Sequence, residues 1–496
     1  MSSALLTDKS RIDLGGLFVW TAASALVAAA CYRYLQQPTF WLDEAFVAVS
    51  LRNPSLQVIF GQLEYGQLFP RIYLGAIALV REVFGYRIWS LRLLPFLSFI
   101  AGTVLWARLL VRRSRSHASL GFLAAALLIG ATFWLDQAIQ LKQYTFDVAL
   151  AFAPFLIDDS FFDEALVDGK RRGRLVAFVL PCLLSYTYPF AMGARVAGWY
   201  LLRARRSGLR INRTAALVLV FSALAAFAGV WFTDHRFNIK DNQAYLAYWH
   251  DCMLGACLRQ NAAAAPRLIA KFLWGWHGRQ PLVTAVLVPL QVLGVYAVIR
   301  RVKRGEPFDA GWGSRTIGSL ILLIGVILAS AFLNYPICAG RVVLFTQIHV
   351  QLLAIEGALL LLGLRTRQKA ALALVWFAGA VVAFHSVRAY GRLIATEPAE
   401  NLRPVVSLIK AEEADSVFVL PCSVAQVRSL PDPLPVSRIV LATEGTQVQQ
   451  GEKTWVLWTH LGNEGCVREL ERIRARALNW QVVDEGPGRG LALAEF

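Results

Sequence analysis

Long apolar runs alternate with short basic segments along most of the chain. A helix needs about 20 mostly apolar residues to cross the hydrocarbon core of a bilayer. By that ruler the runs predict about eleven spans, near 14–34, 88–110, 118–137, 141–157, 174–189, 190–204, 212–232, 280–300, 316–335, 341–363 and 370–390. Two stretches break the pattern. Residues 35–87 form a large first outer loop, with a helical signal from Asp43 to about Leu51. A second apolar helix there, Pro70 to Phe84, is too short to span and is interrupted by Arg71, Arg81 and Glu82. It fits a helix lying along the membrane interface. From about residue 393 the composition changes sharply. Strand-like runs (Ser416–Leu420, Ser437–Leu441, Thr454–Trp458) alternate with helical ones (Arg403–Ala414, Glu464–Trp480). In the last of these Val467, Leu470, Ile473 and Leu478 share one face, as a helix packed on a small sheet requires. The expected fold is an α-helical multi-pass membrane domain, 1–392, followed by a compact C-terminal α/β domain, 393–496.

Composition agrees with that class. The 496 residues are 56% hydrophobic and 17% charged, which excludes a disordered, collagen-like or small disulfide-scaffold protein. Lys and Arg total 50 against 33 acidic residues, a formal +17. That excess is scattered between apolar runs, with no basic stripe interleaved with aromatics, so the bilayer and not nucleic acid is the expected partner. The basic residues also orient the chain, because short cytoplasmic loops are enriched in Lys and Arg. They cluster at Arg108–Arg115, Lys170–Arg174, Arg203–Arg213, Arg300–Arg304 and Arg365–Lys369, all on alternate loops on the side of the N-terminus. An odd number of spans then leaves the tail outside. No small-residue cleavage site follows the first span, which therefore reads as a span and not as a signal peptide.

Ionisable groups at the outer mouth of a helical bundle are costly to desolvate and are the first candidates for chemistry. Trp41-Leu-Asp43-Glu44 follows the first span. Asp43 before a helical run is also an ordinary N-cap, and the local residues alone leave both readings open. A carboxylate held near a hydroxyl can remove its proton, and adjacent carboxylates supply one base and one orienting partner. Gln140, Tyr144 and Asp147 fall at i, i+4 and i+7, on one helix face, with Lys142 beside them to neutralise an anion or to snorkel toward headgroups. Tyr335-Pro336 and Gly340-Arg341 form an outer turn whose guanidinium suits phosphate oxygens, or simple interfacial anchoring. Glu64, Gln67, His235, His250 and His277 complete the outer polar set. The histidines lack ligand spacing, and no GxGxxG, P-loop, G-x-S-x-G or CxxC motif occurs.

There are seven cysteines. Cys31 and Cys182 lie in apolar spans and behave as small hydrophobes. Cys252 and Cys257 share one outer loop, and Cys422 and Cys466 share the tail; an oxidising outer compartment leads to the expectation that each pair is bridged.

Taken in order, these motifs resemble the GT-C superfamily of polyprenyl-phosphate-sugar-dependent glycosyltransferases, in the branch that holds protein O-mannosyltransferases and the lipid A aminoarabinose transferase. The resemblance rests on the W-x-D-E opening, the Pro70-Arg-Ile-Tyr73 element, Leu91-Arg92-Leu-Leu-Pro95, Lys142-Gln-Tyr144 with Asp147, and Tyr335-Pro336 with Gly340-Arg341 and Leu344-Phe345. Leu402-Arg403-Pro404 and Trp455–His460 extend it into the tail. Two departures stand out: relatives often carry His-Pro-Pro or Lys-Pro-Pro where Leu68-Phe69-Pro70 stands, and Glu where Gln140 stands.

The resemblance implies an inverting membrane glycosyltransferase. Asp43 would act as base and Glu44 would orient Asp43 or the acceptor. Arg341 and Lys142 would hold the donor phosphate, and Tyr144, Asp147, Glu64, Gln67 and Tyr73 would line the substrate pocket. The donor would be a polyprenyl-phosphate-linked sugar and the acceptor a glycan, glycolipid or protein, at the outer face of a bacterial cytoplasmic membrane. No cofactor is required, and a divalent metal is left open by two carboxylates near a phosphate. The rival readings are a flippase or transporter of lipid-linked sugars and an O-antigen ligase or polymerase. The outer position of the polar clusters and the lack of an internal repeat favour chemistry over transport.

Overall fold

The computed structural model describes residues 13–495 apart from 115–116, 208–210, 236–246, 275–279, 305–311, 339, 365–366, 397, 399, 412–415, 433, 435–437, 442–452 and 461–463. His277 falls outside the described residues. Each of the expected spans contains a helix. Among the described residues, seven helices are long and apolar enough to cross a membrane: Leu14–Gln36, Ile88–Ser114, Arg213–Thr233, Pro281–Arg304, Trp312–Phe332, Leu344–Leu362 and Gln368–Ala395. The remaining expected spans are shorter or more polar. Ala118–Gly130, Tyr144–Leu156 and Gly173–Leu183 are short apolar helices, and Tyr188–Ser207 carries the fully buried Arg195 in its middle.

The bundle is closed by small residues. A Cβ on Gly294 would meet the Leu353 carbonyl at 1.9 Å and one on Gly357 the Leu290 carbonyl at 1.8 Å, so helices Pro281–Arg304 and Gln347–Leu362 touch backbone to backbone. Such close approach replaces the hydrophobic drive that lipid tails cannot provide. At the end of Ile88–Ser114, Arg113 forks onto the Glu356 carboxylate at 2.5 and 2.8 Å, and Arg301 reaches the same group at 3.7 Å. Two of the basic clusters therefore meet at one end of the bundle. Arg92, in the second turn of the same 27-residue helix and about 30 Å away, marks the other end, where the 35–87 loop sits.

In that loop the helix Leu42–Ser50 forms where the sequence predicts it, and the interfacial helix is Arg71–Phe84. Its inner face buries Tyr73, Leu74, Ile77 and Ala78, while Leu79 and Val83 stay exposed, an apolar outer face suited to lipid.

Helix Gln368–Ala395 leads into the tail. Five strands, β1 (Ser416–Val419), β2 (Arg438–Leu441), β3 (Lys453–Thr459), β4 (Asn479–Gly486) and β5 (Arg489–Glu495), form one sheet in the order β2-β1-β3-β5-β4. β1 is parallel to β2 and β3, and β5 is antiparallel to β3 and β4. Helix Arg403–Ala411 packs on the sheet, with Val405 and Ile409 in a core with Val417, Trp455 and Leu491. The expected helix 464–480 is shorter: it ends at Arg476, Leu478 is exposed, and Trp480 belongs to β4. The β4–β5 hairpin turns at Pro487-Gly488, Gly488 having φ +72°, and its alternation is masked because β4 is an exposed edge strand.

The tail docks on the 35–87 loop. Leu402 donates its N–H to Thr39 Oγ1 at 2.6 Å, Asn401 accepts from the Thr39 N–H at 3.1 Å, and Tyr86 donates to the Ser429 carbonyl at 3.1 Å. Ala425 inserts into the apolar cluster built by helices Leu42–Ser50 and Arg71–Phe84.

One disulfide differs from expectation. Cys422 bonds Cys466, but Cys252 bonds Cys338 and Cys257 is free. Cys257 lies in the helix Leu254–Gln260, turned onto the carbonyl of Asn261, whereas the Cys252 segment pairs with the 333–341 turn through Ile337 N–H to Cys252 O at 2.9 Å. Non-reducing peptide mapping is expected to recover a Cys252–Cys338 peptide and an alkylatable Cys257; a Cys252–Cys257 peptide contradicts this arrangement.

Candidate active site

The site is built around the first turn of helix Leu42–Ser50. Trp41 is extended and the chain becomes helical at Leu42. The free N–H groups of such a turn need acceptors. Glu44 Oε2 accepts from Trp41 N–H at 3.3 Å, and Glu400 Oε2 of the tail accepts from Leu42 N–H at 2.9 Å. Asp43 therefore does not cap the helix. Its carboxylate lies 2.6 Å from Arg341 NH1, with the two side chains 23% and 18% exposed.

Arg341 comes from a turn fixed on both sides. The Cys252–Cys338 bond ties it to the 250–260 segment, and Tyr335 Oη donates to the Val342 carbonyl at 3.0 Å. The guanidinium stacks over Trp41 at 5.2 Å and Trp249 at 5.9 Å, contacts that suit a planar, weakly hydrated cation. Tyr144 and Tyr248 are close enough to act on its charge.

Glu44 is 1% exposed and fully committed. Arg92 reaches it with two N–H groups, Nε to Oε1 at 2.8 Å and NH2 to Oε2 at 2.5 Å, and the Leu141 N–H donates to Oε1 as well. The next residue, Lys142, is thereby held close by. It lies in the turn before helix Tyr144–Leu156, 4% exposed, with Nζ donating to Gln67 Oε1 at 2.7 Å. Burial pushes its pKa down to about 8; the Asp43 carboxylate opposes that shift and the Arg341 charge adds to it. Asp43, Arg341, Lys142 and Gln67 thus form one neighbourhood from three distant parts of the chain.

Of the other residues expected here, Asp147, Tyr73 and Glu64 are held by separate contacts. Gln140 is in a turn bonded to Asp136, so the helical face of Gln140, Tyr144 and Asp147 does not form; the helix begins only at Tyr144. Asp147 is buried and accepts from Ser185 Oγ. Tyr73 is buried, stacked between Phe69 at 5.7 Å and Phe146 at 4.2 Å. Glu64 pairs with Arg428 of the tail.

A cavity of about 270 Å³ opens beside Trp41 and Arg341. Arg33, Asp136, Gln137 and Glu400 line it and were not singled out from the sequence, nor was Arg92 given a role. The signal for Arg33 and Arg92 was their position inside apolar runs, where an arginine needs a buried partner. Among the described residues no three His, Cys, Asp or Glu side chains gather into a metal-binding set.

No protein-family model and no curated protein matches this sequence. Among solved structures the chain is similar to ArnT from Cupriavidus metallidurans. The crystal structure of ArnT bound to undecaprenyl phosphate has 12% identity and a TM-score of 0.48, with 95% of this chain and 97% of that chain covered. Apo ArnT has 13% identity with the same TM-score and coverage. The likeness runs end to end. It assigns no residue a role.

Two predictions follow from the site's electrostatics. Removing one partner of a buried ion pair leaves the other charge uncompensated, at a cost of about 3–5 kcal/mol. Arg92→Ala is expected to destabilise the purified protein by that amount, read by denaturant or thermal unfolding. The double change Glu44→Gln with Arg92→Met should lose much less than the sum of the single changes. Lys142 should lose its proton as pH rises through about 8. A phosphodiester keeps a constant charge there, so affinity for any phosphodiester held by Lys142 should be full below that pH and fall above it. Lys142→Arg should remove the dependence, since a guanidinium stays charged. Binding titrations between pH 6.5 and 9.5 that show no difference between the two proteins contradict this role.

Proposed function

We propose that this chain is a membrane glycosyltransferase that moves a sugar from a polyprenyl-phosphate-linked donor to an acceptor hydroxyl. It acts at the outer face of a bacterial cytoplasmic membrane, with a cytoplasmic N-terminus and a periplasmic tail. The observation that carries the reading is the Asp43–Arg341 pair at 2.6 Å, with Lys142 beside it. A base and a phosphate-binding cation are what a sugar phosphodiester and an alcohol require together. The motif order in the sequence points to the same chemistry.

In this mechanism the donor phosphate draws Arg341 away from Asp43. Arg341 then engages the phosphate through its planar fork, with Lys142 adding a point charge. The freed Asp43 carboxylate accepts the proton of the acceptor hydroxyl. The acceptor oxygen bonds the anomeric carbon from the face opposite the phosphate, the anomeric C–O bond breaks, and its electron pair leaves on the lipid phosphate. Configuration inverts in this single displacement. Arg341 and Lys142 stabilise the negative charge that develops on the leaving oxygen. Glu44 is a positioning residue: through Arg92 and the Leu141 N–H it holds Asp43 and Lys142 at one place.

Asp43→Asn should keep the fold and lower kcat by about 10²–10⁴-fold, the usual contribution of a positioned base. In cells, mass spectrometry of envelope glycans and glycolipids should show the same sugar-sized mass lost with Asp43→Asn as with no protein, at matched abundance. A glycan that disappears only in the null strain would point instead to transport or ligase chemistry.

A further inference from the structure

We infer that Glu400 of the tail is a positioning residue for the transfer: it grips the first turn of helix Leu42–Ser50 and so sets where the Asp43 carboxylate stands. The inference deepens the transferase reading, on which it rests, by giving the tail a part in it. Glu400 Oε2 accepts from the Leu42 N–H at 2.9 Å, one residue before Asp43. The same turn is held from the bundle by Glu44, which accepts from the Trp41 N–H at 3.3 Å and is anchored on Arg92. Asp43 thus sits between two fixed points, one from the bundle and one from the tail, with its own carboxylate left for Arg341.

Glu400 is itself closely held. It is 7% exposed, and a buried carboxylate is tolerable only when its lone pairs are met. Oε2 also accepts from Gln426 Nε2 at 2.7 Å, and Oε1 meets His460 Nδ1 at 2.7 Å; a carboxylate only accepts, so His460 donates. Gln426 is oriented in turn, its side-chain carbonyl taken by the Thr459 hydroxyl. The backbone adds a second observation. Glu400 has φ +61° and His460 φ +52°, left-handed conformations that a residue with a Cβ adopts at a cost. Such residues persist where their surroundings over-determine them. Here the surroundings are a single turn: the Glu400 N–H donates to the Pro487 carbonyl at 2.7 Å and the His460 N–H to the Gly488 carbonyl at 2.9 Å. The β4–β5 hairpin therefore holds both strained residues, and through them aims one carboxylate at the Leu42 N–H.

Docking alone does not ask for this arrangement. The tail has other contacts on the 35–87 loop, among them Arg428 with Glu64 and the Ser429 carbonyl with Tyr86. Neither of these ends on the turn that carries Asp43, whereas Glu400 does. A misplacement of about 1 Å can cost about 10²-fold in rate, so a grip one residue from the base bears on turnover. In the proposed mechanism the donor phosphate is held by Arg341 and Lys142, which come from other segments. Its affinity is therefore expected to be independent of Glu400.

The test compares the unaltered full chain with Glu400→Ala, Glu400→Asp, Glu400→Gln and Arg428→Ala. In lipid nanodiscs it reads hydrogen exchange at residues 41–45 and affinity for polyprenyl phosphate. In cells, at matched abundance, it reads the rate at which the glycan missing from the null strain returns after induction. Glu400→Asp keeps the charge and tolerates the left-handed backbone but is one methylene short, so the test holds even where Glu400→Ala fails to fold. Both changes should slow the glycan's return about 10–100-fold, quicken exchange at 41–45 and leave polyprenyl phosphate affinity within about twofold. Glu400→Gln should recover most of the rate, because its carbonyl can accept from the Leu42 N–H while its amide donates to His460 in the other tautomer. Arg428→Ala, which removes a half-exposed pair, should leave all three readouts near those of the unaltered chain. Glu400→Asp with unaltered rate and exchange overturns the inference, as does phosphate affinity that falls in step with the rate. An Arg428→Ala protein that loses as much as Glu400→Asp also overturns it, since Glu400 is then a docking contact like any other. If the null strain lacks no glycan, the transferase reading fails by itself, and the exchange readout still decides whether Glu400 holds the turn.

Discussion

The buried pair of Arg92 and Glu44 is the interaction on which the end of the molecule that carries residues 35–87 depends. A guanidinium 3% exposed and a carboxylate 1% exposed are tolerable only because each satisfies the other and several backbone groups besides. Arg92 also donates to the Pro38 carbonyl at 2.7 Å and the Thr39 carbonyl at 3.3 Å. Glu44 reaches back to Trp41 and across to Leu141. One ion pair therefore ties together the end of the first helix, the first turn of Leu42–Ser50, the start of Ile88–Ser114 and the turn that carries Lys142. Two adjacent carboxylates have split their work: Glu44 is spent on architecture, which leaves Asp43 turned to Arg341.

Two further ties bring in parts of the chain that the ion pair does not reach. The Cys252–Cys338 bond fixes the turn of Arg341 against the 250–260 segment. The tail contributes Glu400, which bonds the Leu42 N–H, Gln426 and His460, each at 2.7–2.9 Å. The tail is thus a structural part of the site's wall. Positioned groups lose effectiveness over fractions of an ångström, so in the proposed transferase this anchoring by an ion pair, a covalent bond and the tail would hold Asp43 and Arg341 in register.

The pairing of Asp43 with Arg341 also balances charge at the site. Each ion neutralises the other while no anion is present, which limits the cost of holding two charges in a partly buried mouth. Lys142, beside the pair, is pressed toward neutrality by its burial.

The sequence by itself determined the set of long apolar helices, the large 35–87 loop, the helices Leu42–Ser50 and Arg71–Phe84, the presence of an α/β tail and the Cys422–Cys466 bond. Periodicity, run length and composition are local properties, and local pattern is enough to write these features. It also singled out Asp43, Arg341 and Lys142, because charged groups beside apolar runs are rare enough to be noticed. Only the tertiary structure decided which of the two carboxylates is structural, that Cys338 and not Cys257 bonds Cys252, that Gln140 sits in a turn and not on the helix of Asp147, and that β4 and β5 replace the end of a predicted helix. The physical reason is the same in each case. Arg92 and Glu44, Arg33 and Asp136, Leu42 and Glu400 are contacts between residues far apart in sequence, and their burial appears only once the chain has packed.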